Sequence, residues 1–162
     1  DSKILNKIKI ASINFHPGPP NYRGIGCTNF ALLKNEKKYG VTCHLISKKI
    51  DAGKILNVKY FSINKYDNIE TLLQKAHKEM YIQFLKIFEK LQNKKDAIND
   101  LIILNKNIKW SNKLYIKKDM ENLYMVKKNV SKKKLDLLIR SCNTKKYKLY
   151  FQFHGKKFFY LG

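Results

Sequence analysis

The stretch Asn14-Phe15-His16-Pro17-Gly18-Pro19-Pro20-Asn21-Tyr22-Arg23-Gly24 holds all three prolines of the chain and two of its seven glycines. Immediately before the prolines, residues 8–15 (Ile-Lys-Ile-Ala-Ser-Ile-Asn-Phe) read as a β-strand. Asn14 and His16 are two apart at its end, so their side chains leave the same face of the pleat. The prolines then stiffen the loop that follows and hold the pair still. Five of the seven glycines lie before residue 54, so the first third is where the backbone does unusual things, as a functional loop on a scaffold would.

Outward from this loop, Cys27–Leu33 reads as a short helix with Phe30 and Leu33 facing inward, Gly40–Ser47 as a second strand and residues 55–63 as a third. Between the last two lies Lys49-Ile50-Asp51-Ala52-Gly53, a carboxylate in a turn. A long helix follows. Asp67 and Glu70 make a capping-box pattern, and Ile69, Leu72, Leu73, Ala76, Met80, Phe84, Ile87, Phe88 and Leu91 keep the helical period, a stripe that reads as core. His77 falls off that line and reads as a surface histidine.

Beyond residue 94 the texture changes. A lysine-rich connector over 95–107 leads through Trp110 to two short helices, Lys118–Val126 and Lys132–Cys142, the second capped by Ser131. Aromatics alternating around His154-Gly155 predict a terminal hairpin. The expectation is an α/β chain: a sheet-and-helix part over 1–94, a connector, and a small α+β unit over 108–162.

At 162 residues the chain can bury roughly two-thirds of its unfolded surface. Its 44% hydrophobic content excludes a disordered chain despite a net charge of +22. No apolar run approaches the roughly 18 residues of a membrane span, so no membrane partner is expected. Three cysteines at unrelated spacings suggest neither a disulfide framework nor a metal site, and a reducing, cytoplasmic setting is the expectation. Only Arg23 and Arg140 are arginines. The lysine excess, with abundant Asn and Ile, matches AT-rich coding composition and a solvated surface; a basic face meeting a polyanion or nucleotide phosphate is the other reading.

On residues alone, Asn14, His16 and Asp51 admit two readings: a satisfied loop histidine beside a turn aspartate, or an amide donor, an imidazole and a carboxylate assembled for acyl transfer without a covalent intermediate. The surrounding words favour the second. Asn14-Phe15-His16-Pro17, Tyr22-Arg23-Gly24, Gly40-Val41-Thr42 and Ile50-Asp51-Ala52-Gly53-Lys54-Ile55-Leu56, in that order, resemble the folate-dependent formyltransferases. More faintly, Lys113–Glu121 resembles a segment of the sugar and tRNA formyltransferases, and Leu138-Ile139-Arg140-Ser141, Tyr147 and Gly155-Lys156-Lys157 resemble the closing unit of the nucleotide-sugar enzymes, which the glycinamide-ribonucleotide branch lacks.

The resemblance implies a partial doubly wound, Rossmann-like sheet, N10-formyltetrahydrofolate as cosubstrate, and a catalytic triad of Asn14, His16 and Asp51. It implies that Asn14 and His16 stabilise the developing oxyanion and that Asp51 relays protons and raises the His16 pKa. Lys48, Lys49, Ile50 and Gly53 would border the folate, and Pro17, Gly18, Tyr22 and Arg23 the acceptor. No metal and no nucleophilic cysteine are expected, Cys27 and Cys43 reading as structural and His44 as a packed histidine. Trp110 reads as stacked inside the protein. The acceptor is expected to be the primary amine of a nucleotide-linked sugar, with methionyl-tRNA as the alternative and an inactive remnant or binding module as a third reading. Family members carry several strands and helices before the Asn-x-His motif. The chain therefore reads as the carboxy-terminal portion of such an enzyme, with an open sheet edge and a possible homodimer.

Overall fold

The computed structural model describes Leu5, Lys7 and residues 10–162. Three strands, β1 (Ile13–His16), β3 (Lys38–Leu45) and β4 (Ile55–Ser62), form an antiparallel sheet with β3 in the centre. The expected first strand is shorter than its apolar run: residues 10–12 are not strand, and residues 8 and 9 lie outside the described residues. In the register of β1 against β3, Asn14 faces His44 and His16 faces Thr42. Between β1 and β3 come the two-residue strand β2 (Arg23–Gly24) and helix α1 (Cys27–Leu33), the latter as its apolar spacing predicts.

Helix α2 (Ile69–Asn93) starts one residue later than the Asp67/Glu70 pattern implies. Its cap is Asn68, whose Oδ1 accepts from the Glu70 and Thr71 amides at 3.0 Å while Thr71 Oγ1 accepts from the Asn68 amide at 2.9 Å. The Asp67 carboxylate is already engaged by the Asn64 amide at 2.7 Å and the Lys75 ammonium at 2.7 Å, which leaves capping to its neighbour. The apolar stripe is only partly core. Ile69, Leu72, Ala76 and Ile87 are buried, whereas Phe84 and Phe88 are 42% and 49% exposed.

Within the stretch read as a connector, Ala97–Leu104 forms a helix, α3. Leu101, Ile98 and Ile102 pack there against Cys43, Leu56 and Ile87, and that apolar burial outweighs the local lysine content. The remaining elements are β5 (Leu114–Tyr115), paired with β2, then α4 (Lys117–Tyr124), β6 (Met125–Val126), α5 (Lys132–Cys142), β7 (Tyr150–Phe153) and β8 (Lys156–Phe159). The fourth helix stops before Met125 because Met125 and Val126 pair with Tyr150 and Phe151 instead. Ser131 Oγ accepts from the Lys134 amide at 3.3 Å, capping α5. His154 and Gly155, at φ 45° and 75°, make the tight turn between β7 and β8.

One core joins Tyr22, Phe30, Leu32 and Tyr39 to Tyr115, Leu138, Cys142 and Leu149. The carboxy-terminal elements thus share apolar packing with the loop that carries His16.

Candidate active site

The proline loop is held to the central strand by side chains of β3. Tyr39 Oη donates to Pro17 O at 2.8 Å, and Thr42 Oγ1 donates to Gly18 O at 2.7 Å. The Tyr22 amide closes the turn on Pro19 O at 2.9 Å. Gly18 has to be glycine: a Cβ there would stand 2.7 Å from His16 Nε2 and 3.1 Å from both Cys27 Cβ and Tyr22 O. Gly53, where the opposite loop crosses β3, would place a Cβ 1.7 Å from Leu45 O.

These constraints bring together three of the predicted groups. His16, only 3% exposed, sets Nδ1 3.3 Å from Asp51 Oδ2 and Nε2 2.7 Å from Tyr22 O. Asp51 sits at a left-handed φ of 42°, and its Oδ2 accepts from the Gly24 amide at 2.8 Å. Asn14 reaches the cluster through a fourth residue, His44. Asn14 Nδ2 lies 3.1 Å from His44 Nε2, which in turn lies 3.6 Å from Asp51 Oδ1. His44 Nδ1 is 2.8 Å from Leu45 O, which fixes the proton on Nδ1 and leaves Nε2 free to accept the Asn14 amide proton. Asn14 retains a second amide proton for a ligand.

His44 is buried, as a packed histidine would be, and its ring also meets Asn14 and Asp51. No local signal marks it: His44 lies near the end of β3, and only the pairing of β3 with β1 places it beside Asn14. Trp110 is expected to stack inside the protein, and it packs against buried side chains. It sets its ring edge-on to His44 and His16, at 4.9 and 5.8 Å between centroids, and donates Nε1–H to Gly53 O at 2.7 Å.

The electrostatics differ from expectation in one respect. Burial is the largest influence on His16 and lowers its pKa below 6.5, overriding the Asp51 charge and the Tyr22 carbonyl, which both raise it. Asp51 shows the reverse balance. Burial alone would raise its pKa, but the His44 contact, the His16 ring and the Gly24 amide together hold it below 3.8. The cluster places the Asp51 carboxylate between the rings of His16 and His44, with both His16 nitrogens facing oxygens.

The remaining predicted residues divide. Pro17 and Gly18 shape the loop against His16. Tyr22 is 1% exposed, with its hydroxyl on Glu36 Oε1 at 2.8 Å, so it contributes a backbone carbonyl rather than a ligand-facing ring. Arg23 spends its guanidinium on Ser111 O at 2.9 Å and Ile50 O at 2.8 Å, tying the Asp51 turn to the segment after Trp110. Lys48, Lys49 and Ile50 are exposed on that turn. Burial lifts the Cys27 and Cys43 thiols to about 12, which keeps them protonated.

Residues 1–87 match the family described as "Formyl transferase". The methionyl-tRNA formyltransferase of Enterococcus faecalis is 36% identical over 87 residues, covering 51% of this chain and 28% of that protein. Among solved structures, a 4-N formyltransferase from Francisella tularensis superposes with a TM-score of 0.75 at 24% identity, over 99% of this chain and 64% of that one. An N-formyltransferase from Helicobacter canadensis, determined with folinic acid and dTDP-3-aminofucose, gives a TM-score of 0.66 at 24% identity, over 90% of this chain and 52% of that one. The chain thus spans less than a third of the Enterococcus relative and about half to two-thirds of these solved structures. The α/β architecture is that of the formyltransferase fold. With the family pattern running through both the loop that holds His16 and the turn that holds Asp51, the chain belongs to the formyl transferase family.

Proposed function

We propose that Asn14, His16 and Asp51, supported by His44, form the centre for formyl transfer from N10-formyltetrahydrofolate to a primary amine, that of a nucleotide-linked amino sugar. The convergence of His16 and His44 on the partly buried Asp51 carboxylate, with Asn14 joined through His44, carries the reading. The donor set fits the cosubstrate, which supplies a formyl group bound to nitrogen. The free Asn14 amide proton is available to the carbonyl oxygen as it gains charge, an interaction whose loss typically costs about 3–4 kcal/mol of barrier. The attacking nitrogen must lose a proton and the leaving nitrogen must gain one. The anionic Asp51, flanked by His16 and His44, provides the acceptor and store for that proton.

Two observations favour the sugar amine. The sugar N-formyltransferase of Shewanella aligns in structure over 98% of this chain, so the carboxy-terminal elements of this chain have counterparts there. The Helicobacter neighbour was solved with a dTDP-linked amino sugar. Methionyl-tRNA is the second reading, favoured by the 36% identity to the Enterococcus relative. The two separate by mass spectrometry after incubation with N10-formyltetrahydrofolate and either nucleotide-linked amino sugars or methionyl initiator tRNA. A mass gain on the sugar, absent with His16→Ala, is the expected result. A gain on the tRNA alone would replace it with the second reading.

A further inference from the structure

A second feature adjoins the histidine cluster and takes no part in it. A cavity of about 320 Å³ opens between the Asp51–Gly53 turn, the start of β4 and the end of α3. Trp110 forms one wall and simultaneously touches His16 and His44, so the cavity and the cluster share a single indole. Lys54, Lys106 and Lys109 line it, and no Asp or Glu does. All three lysines are exposed, and among the described residues none has a carboxylate within ion-pairing distance. The end of α3 would normally present bare carbonyls to an anion. Here Asn105 Nδ2 donates to Leu101 O at 2.9 Å and to Leu56 O at 2.7 Å, and the Lys106 amide donates to Ile103 O at 3.3 Å, which blunts that end.

We infer that this cavity is an anion subsite, in which Lys54, Lys106 and Lys109 hold the multiply charged tail of a ligand whose reacting end lies at Asn14 and His16. The inference rests on the formyl-transfer reading for the ligand's identity, because both substrates there carry such a tail: carboxylates on the folate, a diphosphate on the nucleotide sugar. Three mobile ammonium groups around an open cavity suit either by charge, and Trp110 links occupancy to the histidine pair.

Trp110 is the only tryptophan of the chain, so its fluorescence reports the cavity directly. Inorganic pyrophosphate and tri-γ-glutamate would each be titrated at fixed ionic strength, by calorimetry and by Trp110 emission. The proteins are the wild type, a pocket triple variant (Lys54→Gln, Lys106→Gln, Lys109→Gln), and a control triple of equal charge change on exposed lysines elsewhere (Lys78→Gln, Lys86→Gln, Lys133→Gln). The expected result is saturable binding that weakens roughly tenfold or more in the pocket variant and little in the control. The tighter probe identifies which tail the subsite takes. No binding to the wild type at millimolar probe, or equal weakening in both variants, overturns the inference. Because binding is read without turnover, a wild type that binds yet transfers no formyl group would remove the reading of the reaction and leave the subsite standing.

Discussion

Replacing Asp51 with Asn keeps the shape of the turn and removes its charge. Asp51 is the largest influence raising the His16 pKa, so in Asp51→Asn that pKa falls further below 6.5 and the acid limb of kcat/KM moves to lower pH, readable by NMR titration of the ring or by the rate profile. The stability consequence has a fixed sign. His16 binds protons less readily folded than unfolded, so as pH drops below 6.5 the unfolded chain gains protons first and stability falls. Asp51, depressed from 3.8, adds its own loss only as pH falls below that value. Urea unfolding at pH 7.5 and 5.5 should therefore show a drop in the wild type that His16→Gln reduces. Gly18→Ala would press on the His16 ring and destabilise by about 1–3 kcal/mol with loss of activity. Gly53→Ala, facing a backbone oxygen 1.7 Å from the new Cβ, should be the more damaging, and thermal melts would rank them. Asn14 and His16 were legible as a pair because strand parity alone puts them on one face. His44 and Trp110 were not, since both arrive through pairings made at long range: β1 with β3, and the segment after α3 with Gly53.

Elements were legible where local chemistry and packing agree. The α1 span, the Ser131 cap and the His154-Gly155 turn follow from their own residues. The long helix shows the limit. Asp67, Asn68 and Glu70 all favour a helix start, and the choice between them fell to Lys75, about two turns further on, and to the Asn64 amide. Asn68→Ala should cost about 1 kcal/mol in thermal or urea unfolding, with Glu70→Ala close to neutral. Equal losses would contradict the observed cap. The helix α3 was missed because its lysine-rich surroundings suggest a solvated connector, while its apolar face gains meaning only against Cys43, Leu56 and Ile87.

At the scale of the molecule, the net charge of +22 and an exposed aromatic row are the main surface features. Tyr81, Phe84 and Phe88 stack along α2 at 6.5 and 5.8 Å, and Phe84 meets Phe15 of β1, an edge strand among the described residues, at 5.6 Å. Such a strip beside an edge strand favours self-association. Sedimentation should show concentration-dependent association at moderate salt, reduced by Phe84→Lys and Phe88→Lys; an unchanged profile would remove the strip as its cause. The three-stranded sheet carries the whole histidine cluster, and the carboxy-terminal elements reach it through Trp110 and Arg23. The most direct test is the single-turnover rate of formyl transfer from N10-formyltetrahydrofolate to a nucleotide-linked amino sugar. It would compare wild type, Asn14→Ala, His16→Ala, Asp51→Asn and the surface control His77→Ala. The account predicts measurable transfer by the wild type and the control, and losses of about 10²-fold or more in the other three. Transfer undiminished in His16→Ala and Asp51→Asn, or none by the wild type, would contradict it.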